Sequence, residues 1–264
     1  MNKSMRNNGF FAAAAYVTMN VLFNVSVVAW TTLYGLVVLP ALFLPPEDVI
    51  EVRRVWIRGV FVLLRFFFNV EFEIRGSENI HLHKQFIVAS KHHSPLDVIL
   101  LADLFQKPAF VLKRSLIFIP IFGLYMIATK MITVSYSGKS NGLDVLRKMV
   151  RQAKVLSKNR TIILYPEGGR TKVGEEVGYK RGILALYKHL NLPVLPIALN
   201  VGQIWPVGYF SNKRSGKAVV QILPPIMPGL KDDEFLQVLR DAIETNTKHL
   251  LSSENKHLLT LQKN

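Results

Sequence analysis

Residues 161–200, TIILYPEGGRTKVGEEVGYKRGILALYKHLNLPVLPIALN, decide how this chain folds. Residues 161–165 and 194–200 are apolar runs too short for helices, and both read as buried strands. Residues 180–190 between them predict a helix. Outward from this unit the same alternation continues. Residues 70–75 and 85–89 predict strands, with Gly76 ending the first, and residues 94–105 a helix. Residues 132–136 predict a short strand. Residues 142–157 predict an amphipathic helix, with Leu143, Leu146, Met149, Val150 and Ala153 on one face. Residues 218–223 predict a strand and 232–251 a C-terminal helix. Strands alternating with helices mean an α/β fold with a largely parallel sheet flanked by helices.

The chain has 264 residues, half of them hydrophobic, and no cysteine. Thiolate nucleophiles, disulfides and cysteine metal sites are excluded. Thirty-three basic against 18 acidic residues give a formal charge of +15, a field that attracts polyanions. The cations fall as spaced pairs, Arg53-Arg54, Lys113-Arg114, Lys180-Arg181 and Lys213-Arg214, with no dense tract interleaved with aromatics. That pattern favours an anionic membrane over nucleic acid.

Between Arg6 and Glu47 there is no charged residue and no histidine. Roughly 20 apolar residues cross a bilayer core, so the stretch has room for two short helices. Basic residues on both flanks, Lys3 and Arg6 before and Arg53, Arg54 and Arg58 after, predict a hairpin that returns to its side of entry. Asn20 and Asn24, or residues 31–35, mark candidate bends, and Pro40 with Pro45-Pro46 would end the second helix. Residues 55–70 are apolar but place Arg54, Arg58 and Arg65 within about 40° of one another on a helix, which suits an interfacial helix. Residues 1–69 are thus expected to be a membrane-associated helical segment and 70–264 the α/β domain, on the cytoplasmic face of the inner membrane. Residues 116–127 are nearly all apolar and broken by Pro120 and Gly123. They read as a buried helix and loop, or as part of a wall for an acyl chain.

Two elements carry chemistry. In KHHSPLD (91–97), Ser94 is a good N-cap and Pro95 suits the first helical position. The turn lets His92 fold back on Asp97. A carboxylate on one imidazole nitrogen fixes the tautomer and leaves the other nitrogen as a base. Asp97 also fits a simple capping box. In TIILYPEGGRT (161–171), Gly168 and Gly169 let backbone N–H groups approach an anion. Arg170 can fork onto a phosphate, and Glu167 can orient Arg170 or a hydroxyl; a purely structural turn remains the alternative. His81, His83, His92 and His93 lack the spacing of a zinc site, so no metal is expected.

In order and spacing these blocks resemble the 1-acyl-glycerol-3-phosphate acyltransferase family of the glycerolipid acyltransferases. The matched blocks are His92 to Asp97 with Ser94, then Tyr165-Pro166-Glu167-Gly168-Gly169-Arg170, then Tyr179, Lys180 and Gly182, then residues 192–198. Lys113, Pro120 and Gly123 match a further stretch. One block departs: Ser135-Tyr136 stand where the family usually has Asp-Arg, whose arginine is associated with the acceptor phosphate. Lys139 is a candidate substitute for that charge.

The resemblance implies an O-acyltransferase with a mixed, largely parallel sheet. His92 is the general base on the sn-2 hydroxyl of a lysophospholipid, Asp97 orients it, and the alkoxide attacks acyl-ACP or acyl-CoA. Lys113, Glu167, Gly168, Gly169, Arg170 and Lys180 are the expected substrate-binding residues, with no cofactor beyond the acyl donor. Lyso-ornithine lipid is an alternative acceptor. A lipid hydrolase using the same pair and a catalytically silent lipid-binding protein are the readings from other classes.

Overall fold

A computed structural model describes residues 3–135, 142–208 and 210–261. Among these residues seven strands form one sheet: β1 (Val70–Arg75), β2 (Ile87–Ser90), β3 (Pro108–Lys113), β4 (Ile132–Val134), β5 (Thr161–Leu164), β6 (Val194–Leu199) and β7 (Gly216–Ile222). Their order is β1-β7-β6-β2-β5-β3-β4. Every neighbouring pair is parallel except β6–β7.

Among the described residues seven helices accompany the sheet: α1 (Lys3–Val37), α2 (Pro46–Phe68), α3 (Pro95–Leu104), α4 (Phe122–Ala128), α5 (Gly142–Leu156), α6 (Arg181–Leu190) and α7 (Asp232–Leu261). Successive strand residues point to opposite faces, and the buried residues divide that way. Val88, Ile163 and Leu195 join a core with α1, α2 and α3. Ile87, Ile162 and Val194 join a second core with α5, α6 and α7. The result is a sheet between two helical layers.

The N-terminal hairpin has a different bend from the one expected. α1 runs unbroken through Asn20, Asn24 and Thr31, and the chain turns at a 3-10 segment, Leu39–Phe43. Pro45 and Pro46 open α2, with Pro46 preorganised for a first turn. α1 and α2 run antiparallel and are tied by two bonds: Trp30 Nε1 donates to Trp56 O at 2.9 Å and Tyr34 OH to Val52 O at 2.6 Å. The asparagines are not bends because each binds the α/β layer. Asn20 Oδ1 accepts from the Lys213 backbone N–H at 2.7 Å, and Asn24 Oδ1 accepts from the Lys213 ammonium. Lys213 also lies 4.8 Å from the Trp205 ring centroid. α1 is long and apolar enough to cross a membrane over Ala13–Val37, yet Phe23 on it is fully buried in the core it shares with α2 and the sheet.

On α2, Arg54, Arg58 and Arg65 are all exposed, flanked by exposed Val55, Val62 and Phe66. Arg53 differs from its neighbour Arg54. Its guanidinium donates to Ala102 O and Phe105 O, both at 2.8 Å, and to Gln106 O at 2.7 Å. It thereby caps the C-terminus of α3, where carbonyls lack helical partners. α1 and α2 therefore share a core with the α/β layer, and α2 supplies it a helix cap.

The stretch 116–127 is not buried. It forms the end of a 3-10 turn and α4, with Phe118, Ile119, Phe122, Leu124 and Ile127 exposed and only Gly123 and Met126 buried. Gly123 is required there, since a Cβ would come within 1.9 Å of Ile117 O.

Candidate active site

β2 and β5 lie side by side in parallel, with Ala89 opposite Leu164. The loops that leave their carboxyl ends therefore emerge together, the edge where α/β sheets place ligands. The first loop holds Lys91 to Ser94, the second Tyr165 to Arg170.

Ser94 is extended and its hydroxyl accepts from Leu96 N at 3.0 Å, so α3 begins at Pro95. That places Asp97 in the first helical turn, where it has two jobs. Its Oδ2 accepts from the backbone N–H groups of His93 and Ser94, both at 2.9 Å. The same carboxylate holds His92 Nδ1 at 3.0 and 3.1 Å. Capping and pairing with histidine are both present, so neither excludes the other. Asp97 is fully buried. A neutral His92 that donates from Nδ1 leaves Nε2 as the acceptor.

The second loop grips His92 from behind. Glu167 Oε2 accepts from His92 N at 2.9 Å, and His92 O accepts from Thr171 N at 2.8 Å. The His92 ring stacks on Tyr165, centroids 3.9 Å apart and 15° from parallel. Burial, then the Asp97 charge, pushes the Tyr165 phenol well above its ordinary range, so it stays neutral.

Glu167 is turned into the protein interior. It is 5% exposed, and its Oε1 is 2.5 Å from the Lys91 ammonium. Burial raises its pKa, and the Lys91 bond opposes that rise. Of the other expected binding residues, Lys113, Gly168 and Lys180 line one cleft, and Gly169 and Arg170 follow Gly168 in the same loop. Gly168 has φ +73°, a conformation suited to glycine, and a Cβ there would come within 3.0 Å of Lys180 Cγ. A Cβ on Gly169 would lie 3.9 Å from Lys113 Nζ. Lys113, Arg114, Ser115, Val134, Ser135, Gly168 and Lys180 line one cleft of about 550 Å³. Arg170 is half-buried beside it in sequence. The sequence reading missed Arg114 and Ser115; their place directly after Lys113 was the available signal. Ser135 lies in the cleft, whereas Tyr136 and Lys139 fall outside the described residues.

The histidine cluster separates. His81 sits in an exposed 3-10 segment, Ser77–Leu82, while His93 is fully buried. Burial, aided by Lys91, lowers the His93 pKa to about 4. Among the described residues no three His, Asp or Glu side chains are grouped to hold a metal ion.

A model of the acyltransferase family matches residues 71–200, which include every one of these side chains from His92 to Lys180. The chain is 36% identical over 151 residues to a 1-acyl-sn-glycerol-3-phosphate acyltransferase of Pseudomonas aeruginosa, covering 57% of this chain and 58% of that one. It is 27% identical over 190 residues to the enzyme of the same name from Limnanthes douglasii, covering 70% and 66%. The match thus spans under two thirds of the curated relatives' length. The crystal structure of the 1-acyl-sn-glycerophosphate acyltransferase PlsC from Thermotoga maritima shares the fold, with a TM-score of 0.70 at 23% identity over 88% of this chain and 97% of that one. Residues 71–200, which hold the His-Asp pair and the glycine turn, are an acyltransferase-family domain.

Proposed function

We propose that this protein transfers a fatty acyl group from an acyl thioester to the sn-2 hydroxyl of 1-acyl-sn-glycerol-3-phosphate, giving phosphatidic acid. The observation that carries the reading is the His92–Asp97 pair at 3.0 Å, next to a basic cleft floored by a glycine turn. His92 Nε2 takes the hydroxyl proton while Asp97 stabilises the imidazolium. The alkoxide adds to the thioester carbonyl, and the thiolate departs as the ester forms. Lys113 and the Gly168-Gly169 backbone are suited to the developing oxyanion or to phosphate. Lys180 and Arg170 are suited to the acceptor phosphate. α1 and the exposed apolar residues of α2 hold the protein at the cytoplasmic face of an anionic membrane, where acceptor and product reside.

Ser135 lines the cleft, and it stands in the block that usually reads Asp-Arg in the family this sequence resembles, which makes lyso-ornithine lipid the second acceptor to test. Purified protein is assayed with lysophosphatidic acid and lyso-ornithine lipid, each with acyl-ACP and acyl-CoA, with His92→Ala as control. Transfer lost in His92→Ala supports the reading. Absence of transfer to any lyso-lipid, or release of free fatty acid alone, overturns it.

A further inference from the structure

Lys91 precedes the catalytic histidine and is 2% exposed, one of the largest fully buried side chains in the molecule. Its ammonium meets two carboxylates. One is Glu167, at 2.5 Å. The other is Glu244, with both oxygens at 2.9 Å, and Lys91 also donates to Glu175 O at 3.2 Å. Glu244 is 6% exposed and lies on α7, outside residues 71–200. Tyr179 OH donates to Glu244 at 3.2 Å, and burial raises the Tyr179 pKa beyond the ordinary range, keeping that proton in place. Glu167 gives its other oxygen to His92 N. Together these bonds make one chain from α7 to the base: Glu244, Lys91, Glu167, His92.

The charges explain why the chain is tight. One buried cation holds two buried carboxylates, Glu244 from α7 and Glu167 from the loop after β5. Glu244 fixes where the Lys91 ammonium sits, and that ammonium fixes the Glu167 carboxylate that receives His92 N–H; with the α7 anchor gone, Lys91 and Glu167 are free to shift together and the histidine backbone loses a fixed partner.

We propose that Glu244 is a positioning residue for the catalytic histidine, acting from α7 through Lys91 and Glu167. The inference rests on the acyltransferase reading, because its readout is acyl transfer. Nothing in the hairpin or the substrate cleft is needed for it.

The full-length protein is assayed as wild type, Glu244→Gln, Glu167→Gln and the double variant, with Asp232→Asn as a control elsewhere on α7 that removes only an exposed pair with Lys188. Near-UV circular dichroism and thermal melts establish folding. Glu244→Gln is expected to lower kcat about tenfold with the acceptor KM unchanged. In the Glu167→Gln background the same substitution is expected to have no further effect, since residues acting through one another are not additive. Should Glu244→Gln fail to fold, Tyr179→Phe carries the same cycle with a smaller fall in kcat. A folded Glu244→Gln with wild-type kcat, or falls that multiply in the double variant, overturns the proposal. An inactive wild type instead overturns the acyltransferase reading.

Discussion

Replacing Asp97 with Asn separates its two jobs. Asp97 Oδ2 carries the two backbone donors, His93 N and Ser94 N, and His92 Nδ1 sits between the two oxygens, 3.0 Å from Oδ2 and 3.1 Å from Oδ1. An asparagine keeps its one oxygen on the two N–H groups, because placing its NH2 there would set donor against donor. The amide nitrogen then occupies the Oδ1 position and donates to His92 Nδ1. The imidazole must accept on Nδ1 and carry its proton on Nε2, where no base remains. Loss of the correct tautomer in such pairs costs about 10⁴-fold in kcat, roughly 5.5 kcal/mol in barrier. The helix start survives, so stability should fall by only about 1 kcal/mol for the lost charge. Asp97→Ala orphans both backbone donors and should cost about 2–4 kcal/mol of stability as well. The measurements are labelled acyl transfer to lysophosphatidic acid and urea unfolding of both variants. An Asp97→Asn enzyme that keeps a tenth of wild-type kcat would refute the tautomer argument.

Arg53→Ala removes the donors on Ala102, Phe105 and Gln106 carbonyls; unfolding free energy should fall by about 2 kcal/mol, and an unchanged urea midpoint would deny the cap. Lys113→Met and Lys180→Met should each raise the KM for lysophosphatidic acid about tenfold, with a smaller rise for a phosphate-free acceptor, both read from initial rates. His93 has a folded pKa of about 4 against an ordinary 6.5. The unfolded chain therefore binds the extra proton between those values, and the stability His93 contributes above pH 6.5 is lost as pH falls toward 4, by about 3 kcal/mol. His93→Gln should flatten that part of the stability–pH curve measured by urea titration.

Much of the sheet was legible because its central strands are pure apolar runs. Residues 87–90, 162–164 and 194–199 are buried on both faces, and such strands need no alternation. β3 was not legible. It is six residues long, opens on Pro108 and ends on Lys113, so neither its composition nor its flanks mark a strand. The helix cap at Ser94 and the pairing of His92 with Asp97 were readable because they are local. The role of Glu167 was not, since its partners include Lys91 from another strand's loop. Asn20 and Asn24 misled for the same reason: their partner, Lys213, lies about 190 residues away, and a polar residue in an apolar run reads as a break when its partner is out of view.

The place of β7 between β1 and β6 has a consequence for synthesis. β1 ends at Arg75, and the strand that pairs with it begins at Gly216, about 140 residues later. At ribosomal speeds of roughly 5–20 residues per second, β1 waits on the order of ten seconds with an open edge. During that wait the apolar face of α2 also lacks Ala218, Val220 and Ile222, which share its core. The nascent chain thus emerges with its most lipid-compatible segment first and its sheet incomplete. Truncation before residue 222 should leave an aggregation-prone product, and early contact of the hairpin with a bilayer would shelter that surface until the last strand arrives.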